Sequence, residues 1–319
     1  MKRIALLLSV LLIAAALFGC AATTADQPDN QSPVQPDETA QPVQTDSSKV
    51  TFNYVDTIAW DATYDVVIVG YGGAGAVASI TASDLGSRVL MVEKAPKGEE
   101  GGNTRVCGQH VVDFTSYEDG VKYLKAVRDR YTVWTDEWIE LFVEKTAEFE
   151  KWWNDFGYTE YETRPRADYA LPGADSVIMY YTELPGNPRL WTGLSEQVQK
   201  RVGEKKLEVW YESPATKLIQ DPYTKTVLGV AVQTEGRTVN VRATNGVILA
   251  CGGFENNQEM IQNYLQRPYN GHLGTKYNTG DGIRMAIEAG ADLWHMSATS
   301  GPYPAFEDPE TGIGRMITS

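Results

Sequence analysis

A chain of 319 residues with 42% hydrophobic content can bury one large core or two ordinary ones. Its formal net charge of −14 repels a phosphate backbone and excludes a nucleic-acid partner. Its three cysteines and three histidines spell out neither a metal centre nor a disulfide framework.

The chain opens with "MKRIALLLSVLLIAAALFGC". Lys2 and Arg3 are a basic start, and Ile4 to Phe18 is an apolar run of signal-peptide length, too short for a comfortable membrane span. The closing "LFGC" resembles the lipobox of bacterial lipoproteins, although Phe18 stands where a smaller residue is commoner. That resemblance implies a signal peptide over residues 1–19, lipidation of Cys20 and a body anchored to the extracytoplasmic face of a bacterial cell membrane; an ordinary secretory signal is the alternative. Residues 20–49 are rich in Pro, Gln, Asp, Ser and Thr and poor in large apolar side chains, so they cannot bury enough surface to fold. They are expected to be a disordered linker that tethers the body.

The folded body is expected over residues 50–295. "YDVVIVG" is a strand apolar on both faces, Gly75 to Leu85 a helix, and "SRVLMVEK" a second strand, together a β-α-β unit over Tyr64 to Lys94. Ser116 to Gly157 reads as helical. Trp138, Leu141, Phe142, Phe149, Trp152, Trp153 and Phe156 recur at three- and four-residue steps in its second helix, which predicts a core-facing stripe capped by Thr135 or Asp136. Arg189 to Gly203 is another helix. "LEVWYES", "TKLIQD", "TVLGVAVQTEG" and "RTVNVRATNGVILACGG" alternate like a β-meander returning to the main sheet, "GDGIRMAIEAGA" is a short helix, and the rest is irregular. The fold class is α/β.

Gly70, Gly72 and Gly75 form G-x-G-x-x-G between a strand and a helix. In a dinucleotide-binding turn the first glycine permits the sharp bend, the second lets backbone N–H groups approach a pyrophosphate, and the third lets helix and strand pack closely. Gly73 and Ala74 lie within the same turn. Glu93 ends the second strand, where a carboxylate can accept hydrogen bonds from ribose hydroxyls, with Lys94 beside it.

A second glycine loop, Gly101, Gly102, Asn103 and Thr104, follows soon after. Here the chain resembles FAD-dependent oxidoreductases of the fumarate reductase and succinate dehydrogenase flavoprotein type, relatives of flavocytochrome c and ketosteroid dehydrogenases. "VWYESPATKLI" is similar to that family's strand and turn near the adenine, with Ala215 as the candidate contact. "GVILACGGF" is similar to its return strand, with Gly252 and Gly253 at the turn, and "NTGDGIRMAIEAGADL" to its T-G-D-G motif, Thr279, Gly280, Asp281 and Gly282. The resemblance implies a Rossmann-like FAD-binding domain of the glutathione-reductase type with a β-meander, and FAD as cofactor. Cys251 replaces the family's usual threonine and reads as a small packed residue; Cys107 reads as part of the loop packing.

The same resemblance implies hydride transfer from flavin N5 to the activated C=C of a small organic acceptor, and the expected extracytoplasmic location points to electrons from a membrane or redox-protein donor. A dehydrogenase of the 3-ketosteroid type and an inactive flavin-binding lipoprotein are the alternatives. The family's Q-x-H-P element is absent after the T-G-D-G motif; the sequence there is "WHMSATSGPYPAF". His295 and Arg315 are weak candidates for catalysis. Residues 296–319 resemble only the start of a capping domain, so the chain is expected to be truncated, with the catalytic arginine and the last FAD segment beyond Ser319.

Overall fold

A computed structural model describes residues 53–128, 134–182, 188–266, 274–297, 305–310 and 314–316. Cys20 and the tether lie outside these residues. A six-stranded sheet carries the chain's main core. In chain order its strands are β1 (Ala62–Val69), β2 (Val89–Val92), β6 (Leu207–Trp210), β7 (Ala215–Gln220), β8 (Val227–Thr234) and β9 (Arg237–Leu249). Across the sheet the order is β6-β2-β1-β9-β8-β7. The first four of these pair in parallel, and β9, β8 and β7 form an antiparallel meander.

Burial explains why the central strands are apolar on both faces. Val67 and Val69 pack with Leu90, Val92, Val230 and Met285 on one side; Ile68, Val89 and Met91 pack with Ile80, Leu194 and Trp153 on the other. Helix α1 (Gly73–Asp84) and helix α5 (Leu190–Gly203) cover the second side, and α7 (Asp281–Glu288) closes the first with Met285. Arg201, almost fully buried on α5, donates to both oxygens of Asp84 at 2.8 and 2.5 Å, tying α5 to the end of α1.

Four expectations change. "LEVW" is not part of the meander: β6 runs parallel to β2 at the opposite edge of the sheet. Within the helical stretch α2 (Tyr117–Arg128) comes first, and the expected second helix is two, α3 (Asp136–Thr146) and α4 (Phe149–Asn154). Thr135 caps α3, accepting the Trp138 N–H at 3.3 Å. On α3, however, Ile139 and Val143 face inward, while Trp138 is 67% exposed and Leu141 and Phe142 face outward; only Trp153 of the predicted stripe is fully buried. The residues after α7 also include an antiparallel pair, β10 (Ala305–Glu307) with β11 (Gly314–Met316).

A second sheet has no counterpart in the sequence reading. Strand β5 (Val177–Tyr181) pairs antiparallel with both β3 (His110–Phe114) and β4 (Glu162–Pro165). It stands on the chain segment that follows the second glycine loop.

Candidate active site

Strands β1, β2 and β9 point their carboxyl ends to the same edge, and a cleft of about 290 Å³ opens there. β1 ends in a turn that leads at once into α1. Gly70 takes φ +105°, and a Cβ there would lie 2.6 Å from the Ala250 carbonyl oxygen. A Cβ on Gly75 would overlap the Gly70 carbonyl oxygen, so helix and strand touch backbone to backbone. Gly72 differs. It is the N-cap of α1 at an ordinary extended φ of −94°, and a Cβ there would meet nothing nearer than the Gly101 carbonyl oxygen at 3.7 Å. Its bareness serves the open cleft rather than the packing.

Glu93 is buried at the end of β2 and ties the turn down. Its Oε2 accepts the Tyr71 N–H and its Oε1 accepts the Ala95 N–H, both at 2.6 Å. The second glycine loop lies alongside: Gly101 donates to the Tyr71 carbonyl at 2.8 Å and forms a parallel bridge with Gly72. Thr104 Oγ1 accepts the Gly73 N–H at 3.1 Å, at the first turn of α1, where N–H groups lack partners within the helix.

The far wall is built by residues 274–281. Asn103 Oδ1 accepts the Thr275 N–H at 3.0 Å, and Asn103 and Asn278 both donate to Glu255 Oε1 at 2.7 Å. Lys94 donates to Thr279 Oγ1 at 2.7 Å and to Asp281 Oδ2 at 2.6 Å. Burial alone would raise the Asp281 pKa, but the bond and charge of Lys94, with Thr279 and Arg284, bring it below its ordinary value. Tyr277 donates to Glu99 at 2.6 Å and Lys276 pairs with the same carboxylate at 3.0 Å, which together hold the Glu99 carboxyl low.

Of the residues singled out by sequence, Gly70, Gly72, Gly73, Ala74, Glu93, Lys94, Gly102, Asn103, Thr104, Ala215, Gly252, Gly253 and Asp281 line this one cleft. Gly75, Gly101, Thr279, Gly280 and Gly282 are not part of its lining. Gly280 is the left-handed N-cap of α7, and Gly282 packs against the Cys251 sulfur. Tyr71, Ala95, Glu99, Pro214, Thr275, Tyr277 and Asn278 line it too. Tyr71, Pro214 and Asn278 lie within or beside the quoted motifs, but nothing in the sequence pattern marks Ala95, Glu99, Thr275 or Tyr277. Cys251 lines the cleft as well, and burial pushes its thiol pKa up. Cys107 is exposed and donates to the Thr104 carbonyl at 3.3 Å.

His295 is not in the cleft lining. It is exposed in an irregular stretch, and its ring stacks on Trp294 at 4.0 Å. The Arg315 backbone pairs with Phe306 in the β10–β11 hairpin, and its side chain lies outside the described residues. Among the described residues no three His, Cys, Asp or Glu side chains gather to hold a metal.

A model of the FAD binding domain family matches residues 65–301. The chain belongs to the FAD binding domain family. FAD is accordingly its cofactor, and the open face of Gly72 at the amino end of α1 fits the diphosphate of such a group. The chain is similar to vinyl phenol reductase of Lactiplantibacillus plantarum (27% identity over 75% of this chain and 48% of that protein). It is also similar to urocanate reductase of Eggerthella lenta (31% over 78% and 41%). The open conformation of a flavocytochrome c3 fumarate reductase superposes with a TM-score of 0.67 at 21% identity, over 88% of this chain and 51% of that one. The chain thus spans about half, or less, of the length of these relatives.

Proposed function

We propose that this chain forms the FAD-holding part of a flavoprotein reductase that saturates an activated C=C in a small organic acceptor. The observation that carries the reading is the convergence of both glycine loops, Glu93 and the 274–281 segment on one cleft at the carboxyl ends of parallel strands. Bound FAD supplies a hydride at N5 and accepts electrons from a donor. The chain's own residues bind and orient it. In a Rossmann-like arrangement the Gly70–Gly75 turn and the amino end of α1 hold the diphosphate. Glu93 Oε1 and Oε2 each accept one backbone N–H, which leaves lone pairs for the ribose hydroxyls. Pro214 and Ala215 offer the backbone and small side chain that an adenine edge needs. Asn103, Thr104, Gly252 and Gly253 serve the flavin side.

The named relatives reduce vinyl phenol, urocanate or fumarate, all small and unsaturated, and this supports the same substrate class here. We assign no proton donor to His295 or Arg315. The further reading is a body of residues 50–295 held by a lipidated Cys20 on the outer face of a bacterial membrane, with a redox-protein donor. The reconstituted full chain, mixed with reduced viologen, is offered fumarate, urocanate and a vinyl phenol. Saturation of at least one acceptor is expected; viologen oxidation with none of them would overturn the reading for this chain.

A further inference from the structure

Gln109 is a buried side chain beside the second glycine loop whose backbone calls for an explanation. It sits at φ +56°, in the left-handed region, and is 3% exposed. A non-glycine residue there carries strain, so the side chain must offset it. Its amide makes three bonds to backbone groups. Nε2 donates to the Thr104 carbonyl at 2.6 Å and to the Cys107 carbonyl at 3.3 Å, and Oε1 accepts the Trp191 N–H at 2.9 Å.

Those partners reach both glycine loops. Thr104 occupies the Gly73 N–H with its hydroxyl. Trp191 begins α5, and its indole packs where a Cβ on Gly101 would stand, 2.7 Å away. The same indole meets the Tyr71 ring edge-on at 5.4 Å, and Tyr71 N–H is the donor that Glu93 holds. One amide therefore ties the second glycine loop to the rigid helix α5, and through it to the first turn.

We propose that Gln109 is a positioning residue for the cofactor cleft: it fixes the Gly101–Thr104 loop against the amino end of α1 and so sets FAD affinity through Thr104. This rests on the FAD reading of the cleft. Gln109→Gly removes the amide and relieves the left-handed backbone, so folding is spared. Gln109→Glu keeps the acceptor for Trp191 and loses both donors to the loop. Both are expected to raise the FAD dissociation constant of the full chain roughly tenfold, the consequence of losing one to two net hydrogen bonds. Both should speed amide exchange over residues 101–109 in the FAD-free chain.

The decisive readout is a coupling cycle with Thr104→Ala. Because Gln109 acts through Thr104, the double variant should bind FAD no more weakly than Thr104→Ala alone. Additive losses would overturn the proposal, as would wild-type affinity and exchange in both Gln109 variants. Failure of the unaltered chain to bind FAD would instead overturn the FAD reading, and this proposal with it.

Discussion

The Glu93 carboxylate and the Tyr71 N–H meet at 2.6 Å across the base of the glycine turn. The acidic residue expected to serve a ribose therefore also holds the protein's own backbone. A buried donor left without its charged acceptor costs about 1–3 kcal/mol, and Glu93 satisfies two such donors. Glu93→Ala should lower the stability of the FAD-free chain by about 2–4 kcal/mol as well as weaken FAD binding. Chemical denaturation of the FAD-free variant checks this; an unchanged midpoint would show that the two contacts carry nothing.

Gly72 and Gly75 should part company on substitution. Gly75→Ala drives a methyl into the Gly70 carbonyl and should cost about 1–3 kcal/mol through overpacking. Gly72→Ala meets no close neighbour and loses only a preferred N-cap residue, about 0.5–1 kcal/mol. The ranking of the two melting temperatures, measured without FAD, tests the reading of the turn.

The aromatic residues of α3 and α4 make a second contrast. Trp138 is largely in solvent and Trp153 is fully enclosed among Phe149, Phe156 and Tyr158. Trp138→Ser should change stability by no more than about 0.5 kcal/mol, whereas Trp153→Ala should cost about 3–5 kcal/mol. Equal effects in urea titration would contradict the assignment of faces.

Acid should loosen the far wall of the cleft. The Asp281 pKa is below its ordinary value in the fold, so the stabilisation by Lys94 is complete above the unfolded carboxylate pKa and is lost as pH falls through the folded one. Both side chains are about a quarter exposed, which limits the pair to on the order of 1 kcal/mol. Asp281→Asn should therefore be less stable than the unaltered chain at pH 7, by a gap that narrows as the pH falls below the unfolded carboxylate pKa. A constant gap across that range would remove Lys94 from the account.

These contrasts also mark what could be read from sequence. The glycine turn was legible because each of its glycines sits between an apolar strand and a helix, and the end of the second strand places Glu93 by chain geometry alone. The stripe on α3 was not. Two apolar sets share that helix, Ile139 with Val143 and Trp138 with Leu141 and Phe142, and periodicity cannot say which one meets the core. "LEVW" is a short strand whose neighbour is chosen by its position after α5, not by its residues. Strand β4, exposed throughout, carries no apolar signal at all. The contact of Lys94 with Asp281 spans 187 positions: each residue lies beside or within a motif, but neither motif announces the pairing.

The most direct test of the central claim is a calorimetric titration of the FAD-free full chain with FAD, run in parallel on Gly72→Val. The account predicts one FAD per unaltered chain, and loss of that binding in a variant whose far-ultraviolet circular dichroism is native. FAD binding of equal strength by both chains would place the cofactor elsewhere and contradict the assignment of this cleft.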